Sequence, residues 1–142
     1  MNAQIVLIDD DDDDRLVFRE AVKNSGVDAV FNEYATGEEF ISHLNDSENT
    51  LSRLVFLDIN MPKTSGYTLL EMIRKNQRAK ECHIVMYTTS NSQHDIQFAE
   101  QNNASGFAAK PSDYNKLEEL VKKAVTHFFT PQQDKAIFFS MI

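Results

Sequence analysis

Leu54-Val55-Phe56-Leu57-Asp58-Ile59-Asn60-Met61-Pro62 is the stretch that decides the fold. Its four leading apolar residues read as a strand buried on both faces of a sheet. The run ends in a carboxylate. Met61-Pro62 then forbids continued pairing, because proline lacks an N–H and biases its predecessor away from helix. Asp58 is therefore expected at the carboxyl end of a buried strand, where open α/β sheets place their ligand crevice.

Working outward, the same pattern recurs. Ile5-Val6-Leu7-Ile8 is a second short apolar run, closed by the carboxylates Asp9 to Asp14. Val27 to Tyr34 reads as a weaker strand, His83 to Tyr87 as a fourth, and Gly106-Phe107-Ala108-Ala109 as a short fifth leading into Lys110-Pro111. Between them lie segments with helical periodicity: Arg15 to Asn24, stopped by Ser25-Gly26, and a helix capped by Thr36 with Glu39 and running to about His43. After a polar loop at Asn45 to Thr50, further helices are expected behind Thr64-Ser65-Gly66, from Ser92 to Asn102, and from Tyr114 to Phe129. Five strand–helix alternations imply an α/β fold, with a parallel sheet covered on both faces and right-handed crossovers. Every strand then delivers its carboxyl end to one rim, so Asp9, Asp10, Asp58, Thr88 and Lys110 are expected to converge there.

Composition narrows the function classes. The chain has 142 residues, 42% of them hydrophobic and 25% charged, which is ordinary for one globular domain. A net charge of −8 argues against nucleic acid or anionic membrane as a partner. Cys82 is the only cysteine, so no disulfide framework can form within the chain. The histidines at 43, 83, 94 and 127 are dispersed and lack metal-ligand spacing. The start, Met1-Asn2-Ala3-Gln4, shows no secretion signal, and a cytoplasmic location is the expectation. The organisation expected is a domain over residues 1–129 and a tail over 130–142 without a separate output domain. Ile137-Phe138-Phe139 suggests that this tail is docked.

Carboxylates from two strand tips at one crevice repel each other, and a divalent cation removes the conflict. Few, hard oxygen ligands suit Mg2+, with Mn2+ as a possible substitute. Asp58 could then attack phosphorus, while Lys110 pairs with the phosphoryl group and the Thr88 hydroxyl donates to a remaining oxygen.

In this arrangement residues 4–129 resemble the receiver domains of two-component response regulators. The resemblance rests on Asp9-Asp10 after the first strand, Asp58 within Leu57 to Pro62, Gly66, Thr88 and Lys110-Pro111. It implies a flavodoxin-like, three-layer fold with a five-stranded parallel sheet of order 2-1-3-4-5. It also implies phosphorylation on Asp58, a metal site of Asp9, Asp10, Asp58 and the Asn60 carbonyl, a Thr88–Phe107 switch pair, and a cis bond at Lys110-Pro111. The implied function is a stand-alone receiver, not an enzyme in the usual sense. It would take its phosphoryl group from a histidine kinase or histidine phosphotransfer protein and switch a protein-interaction surface around residues 91–129, with a homodimer possible.

Two features depart from the pattern. The chain carries six consecutive aspartates where two suffice, and Asp11 to Asp14 are read as complementing the positive end of the first helix. Thr89 stands where many members carry alanine or glycine, and its extra atoms are expected to narrow the path of water to the phosphoryl group.

Three rivals are weighed. A relay shuttle would pass the phosphoryl group to another histidine. An Asp-nucleophile phosphatase would need a carboxylate two residues after Asp58, where Asn60 stands. A calcium module could use Asp9, Asp11, Asp13 and Glu20 at EF-hand spacing, but Asp14 occupies the glycine position and a strand precedes the loop.

Overall fold

The structure, a computed structural model, describes residues 3–46, 52–79, 81–89, 92–130 and 137–141. Six strands alternate with five helices: β1 (Ala3–Ile8), α1 (Asp12–Ser25), β2 (Val30–Tyr34), α2 (Gly37–Asp46), β3 (Ser52–Asp58), α3 (Gly66–Lys75), β4 (His83–Thr88), α4 (Gln93–Gln101), β5 (Gly106–Ala109), α5 (Tyr114–Phe129) and β6 (Phe139–Met141). The strand order is β2-β1-β3-β4-β5-β6, and all neighbouring pairs are parallel. Most of the polar loop expected at 45–50 lies outside the described residues, as do tail residues 131–136.

The apolar runs are continuous because both faces of the sheet are covered. Val6, Ile8, Val55, Leu57, Ile84 and Met86 face a core completed by α2, α3 and α4. Their neighbours Ile5, Leu7, Leu54, Phe56, Val85 and Tyr87 face a second core completed by α1 and α5. Successive strand residues point to opposite faces, so a two-sided sheet needs apolar residues at every step.

Local chemistry sets the helix starts. The Asp11 carboxylate accepts from the backbone N–H groups of Asp13 and Asp14 at 2.8 and 3.1 Å, so α1 begins three residues before the position expected from its apolar face. Ser65, Ser92 and Asp113 cap α3, α4 and α5 in the same way. At Thr36 the hydroxyl accepts from the Glu39 N–H at 3.2 Å, the forward half of the expected box.

Three expectations are corrected. The sheet has six strands rather than five, because the tail adds β6 beside β5. Phe138 packs on the α4-side core and Phe139 on the α5-side core, which gives this short strand a reason to dock. The weak strand expected from Val27 starts at Val30, since Val27 and Ala29 pack from the preceding turn. Lys110–Pro111 is trans, not cis.

Candidate functional site

The rim at the carboxyl ends of the strands gathers every residue that the sequence nominated for it. β1 ends at Ile8, so Asp9 enters the rim fully buried, its N–H donating to the Tyr34 carbonyl at 3.1 Å. Asp10 follows it and is exposed. Asp58 closes β3 and is only 4% exposed. Oxygens of Asp9, Asp10 and Asp58 lie within 4.8 Å of one another. Among the described residues this is the one cluster of acids, histidines or cysteines with metal-binding spacing.

Behind Asp58 the chain turns sharply. The Asn60 N–H donates to Asp58 Oδ1 at 3.2 Å, and the Gly66 N–H donates to the Ile59 carbonyl at 2.9 Å. A Cβ at Gly66 would lie 2.5 Å from the Asp58 carbonyl oxygen and 2.6 Å from the Ile59 Cα. Glycine is needed there because the start of α3 rests directly on the backbone that aims Asp58.

The remaining two strands supply a hydroxyl and an amine. Thr88 ends β4 fully buried, and its Oγ1 accepts from Asn60 Nδ2 at 3.1 Å. Thr89, the next residue, is exposed. Lys110 follows β5, its backbone N–H donating to the Thr88 carbonyl at 2.7 Å. Its Nζ lies 2.8 Å from Asp9 Oδ2, 2.9 Å from Asp14 Oδ2 and 3.5 Å from Asp58 Oδ2. Phe107 is fully buried in the α3/α4-side core.

The electrostatics follow from burial. Desolvation pushes the Asp58 carboxyl up to about 6; the Lys110 charge and the Asn60 N–H oppose the rise, and neighbouring Asp9 adds to it. Burial pulls the Lys110 ammonium down, but hydrogen bonds to Asp9 and Asp14 outweigh it and hold the group above its ordinary value. The rim therefore presents a partly protonatable acid beside a firmly charged amine.

Two residues there escaped the sequence reading. Asp14 reaches Lys110 from the first turn of α1, and Tyr87 carries the Lys110 Nζ 5.4 Å from its ring centroid. Nothing in a run of identical aspartates says which one faces the lysine. The helix start at Asp12 is what decides it. The calcium reading does not survive the same geometry: Asp13 lies within the first turn of α1 instead of a loop, and the Asp11 carboxylate is engaged in capping that helix.

Among proteins of known character the chain has clear relatives. It is 25% identical over 122 residues to the probable methanogenesis regulatory protein FilR2 of Methanothrix harundinacea, an alignment covering 84% of this chain and 79% of that one. It is also 25% identical to response regulator Rcp1 of Synechocystis, covering 83% of each. The Mn2+-bound structure of Rcp1 superposes with a TM-score of 0.73 at 23% identity, over 91% of this chain and 96% of that one. The phosphorylated cyanobacterial phytochrome response regulator RcpA gives 0.75 at 26% identity, over 93% and 96%. No helix among the described residues is long and apolar enough to cross a membrane. The family profile of the response regulator receiver domain matches residues 5–122, and the chain is a member of that family.

Proposed function

We propose that Asp58 is the phosphoacceptor of this receiver and that its modification switches a protein-interaction surface. The observation that carries the reading is the gathering of Asp9, Asp10 and Lys110 around Asp58, with Thr88 joined to the same rim through Asn60, from the tips of β1, β4 and β5. In this reading a carboxylate oxygen of Asp58 attacks phosphorus, the bond to the donor's leaving atom breaks, and that electron pair departs with the donor. A histidine kinase or histidine phosphotransfer protein supplies the group. Lys110 neutralises charge on the transferred oxygens, and Thr88, now holding Asn60, turns its hydroxyl toward them.

The donor set fits a hard divalent cation: clustered oxygens, two of them on buried residues, with no sulfur or imidazole among them. Asp9, Asp10, Asp58 and the Asn60 carbonyl would hold Mg2+, or Mn2+ as in the Rcp1 structure. When bound, the cation supplies charge neutralisation for the transferring phosphoryl group. Asn60, tied to Thr88, offers no carboxylate for proton transfer, which favours accumulation of the acyl phosphate over rapid hydrolysis.

The interaction surface is assigned to α4, β5 and α5, around residues 91–129. Because β6 pairs with β5, residues 139–141 border that face. Repacking of Phe107 beneath it would carry the signal. The test is incubation with a small phosphodonor, with and without Mg2+, followed by intact-mass analysis. Wild type should gain one phosphoryl group only with the metal, and Asp58→Asn should gain none. Mass gain by Asp58→Asn at the wild-type rate overturns the assignment.

A further inference from the structure

Lys110 has two strong acceptors, and only one belongs to the cluster that the proposed reaction uses. Asp9 is fully buried, 2.8 Å from the lysine Nζ, and belongs to the acid cluster with Asp58. Asp14 lies outside the acid cluster, on the first turn of α1, with its side chain 45% exposed. The 2.9 Å bond from Lys110 Nζ to Asp14 draws the ammonium to the α1 side of the rim, leaving Asp58 at 3.5 Å, beyond a good hydrogen bond. Asp14 is well placed for this. The Asp11 cap binds its backbone N–H and fixes the first turn, while the adjacent Arg15 points elsewhere, to the Asp9 carbonyl and to Asp12. Tyr87 supports the amine from beside it.

We propose that Asp14 is a positioning residue that restrains Lys110 in the unmodified protein, so that phosphorylation must win the ammonium away from it. The inference rests on the phosphoacceptor reading above. Phosphorylation replaces the single charge of the Asp58 carboxylate with close to −2 and three strong acceptor oxygens, enough to outcompete one half-exposed carboxylate. No covalent bond changes in this step: the ammonium keeps its protons and exchanges one acceptor for another. Asp14 thus sets a threshold. It lowers the readiness of the resting site without taking part in the chemistry, and it distinguishes one aspartate in the run from its neighbours.

The experiment compares wild type with Asp14→Asn, Asp14→Glu and Asp13→Asn, using a small phosphodonor and Mg2+ and following mass gain over time. Asp13→Asn removes the same charge from the same turn and serves as the control. Asp14→Asn should be phosphorylated about fivefold faster, the scale of one partly exposed charge-assisted hydrogen bond. Asp14→Glu should restore the slow rate and Asp13→Asn should match wild type. Equal rates for Asp14→Asn and Asp13→Asn overturn the inference. Failure of wild type itself to gain mass would instead strike the phosphoacceptor reading. A second measurement needs no phosphate: NMR of the Lys110 side chain should show its Cε and Nζ signals moving and gaining mobility in Asp14→Asn alone. Unchanged signals would sink the restraint.

Discussion

The carboxyl end of β5 and its outer edge belong to different kinds of structure. At its carboxyl end Lys110 enters a rim where buried acids face one another, Asp9 fully enclosed and Asp58 nearly so. Along its outer edge β6 adds an apolar border, with the Phe139 ring centroid 5.8 Å from that of Phe128 and 5.4 Å from that of His127. Burial is unfavourable at the rim, because it strips water from charge, and favourable at the border, because it strips water from hydrocarbon. The contrast locates stability and chemistry in separate parts of one sheet. The rim is held in place by the cores rather than by itself.

The sharpest way to break this division is at the border. Phe139→Ala should lower stability by about 3 kcal/mol, measured by denaturant unfolding, yet leave the rate of Asp58 phosphorylation unchanged. A fall in that rate would show that border and rim are not separable. Gly66→Ala attacks the division from the other side. Its new Cβ meets the backbone of Asp58 and Ile59, so about 2 kcal/mol of stability and the aim of Asp58 should be lost together. Retention of the full phosphorylation rate would show that the turn has slack.

Asp58→Asn should raise stability, by about 1–2 kcal/mol at pH 7 without divalent metal. The sign follows from a carboxyl pushed up to about 6 in the folded protein: between about pH 4 and pH 6 the folded state holds the proton that the unfolded chain has released. Wild type therefore loses stability from this group as pH rises through that window. Thermal melts of wild type and variant should converge near pH 4 and separate by pH 7, and Mg2+ should then stabilise wild type more. Parallel melts at both pH values would contradict the burial account. The smallest effect is expected at exposed Thr89. Thr89→Ala should speed loss of the phosphoryl group a few-fold, followed by mass over time; an unchanged or slower decay removes Thr89 from the access path.

How much of this was legible beforehand depended on the length of the signal. β3 announced itself because four apolar residues stop at Asp58, and α5 because Leu117, Leu120, Val121, Ala124 and Phe128 keep one face over about three turns. The convergence of Asp9, Asp58, Thr88 and Lys110 followed from parallel topology alone. β6 did not follow. Three residues carry too little periodicity, and their partner β5 lies more than 30 residues earlier, so the tail read only as docked. Asp14 was hidden for another reason: in a homopolymeric run, side-chain direction is fixed by where the helix begins, and only the Asp11 cap sets that.

The opposite placement of Phe138 and Phe139 has a consequence for how the last strand finds its place. With one ring committed to each core, sliding by a single position would exchange the two faces and strand both rings in the wrong layer. At Gly106 a Cβ would lie 2.6 Å from the Phe139 carbonyl oxygen, so the missing side chain is what lets the two strands approach in this alignment. A segment of three residues thereby acquires a unique address on the sheet, which its length alone would not provide.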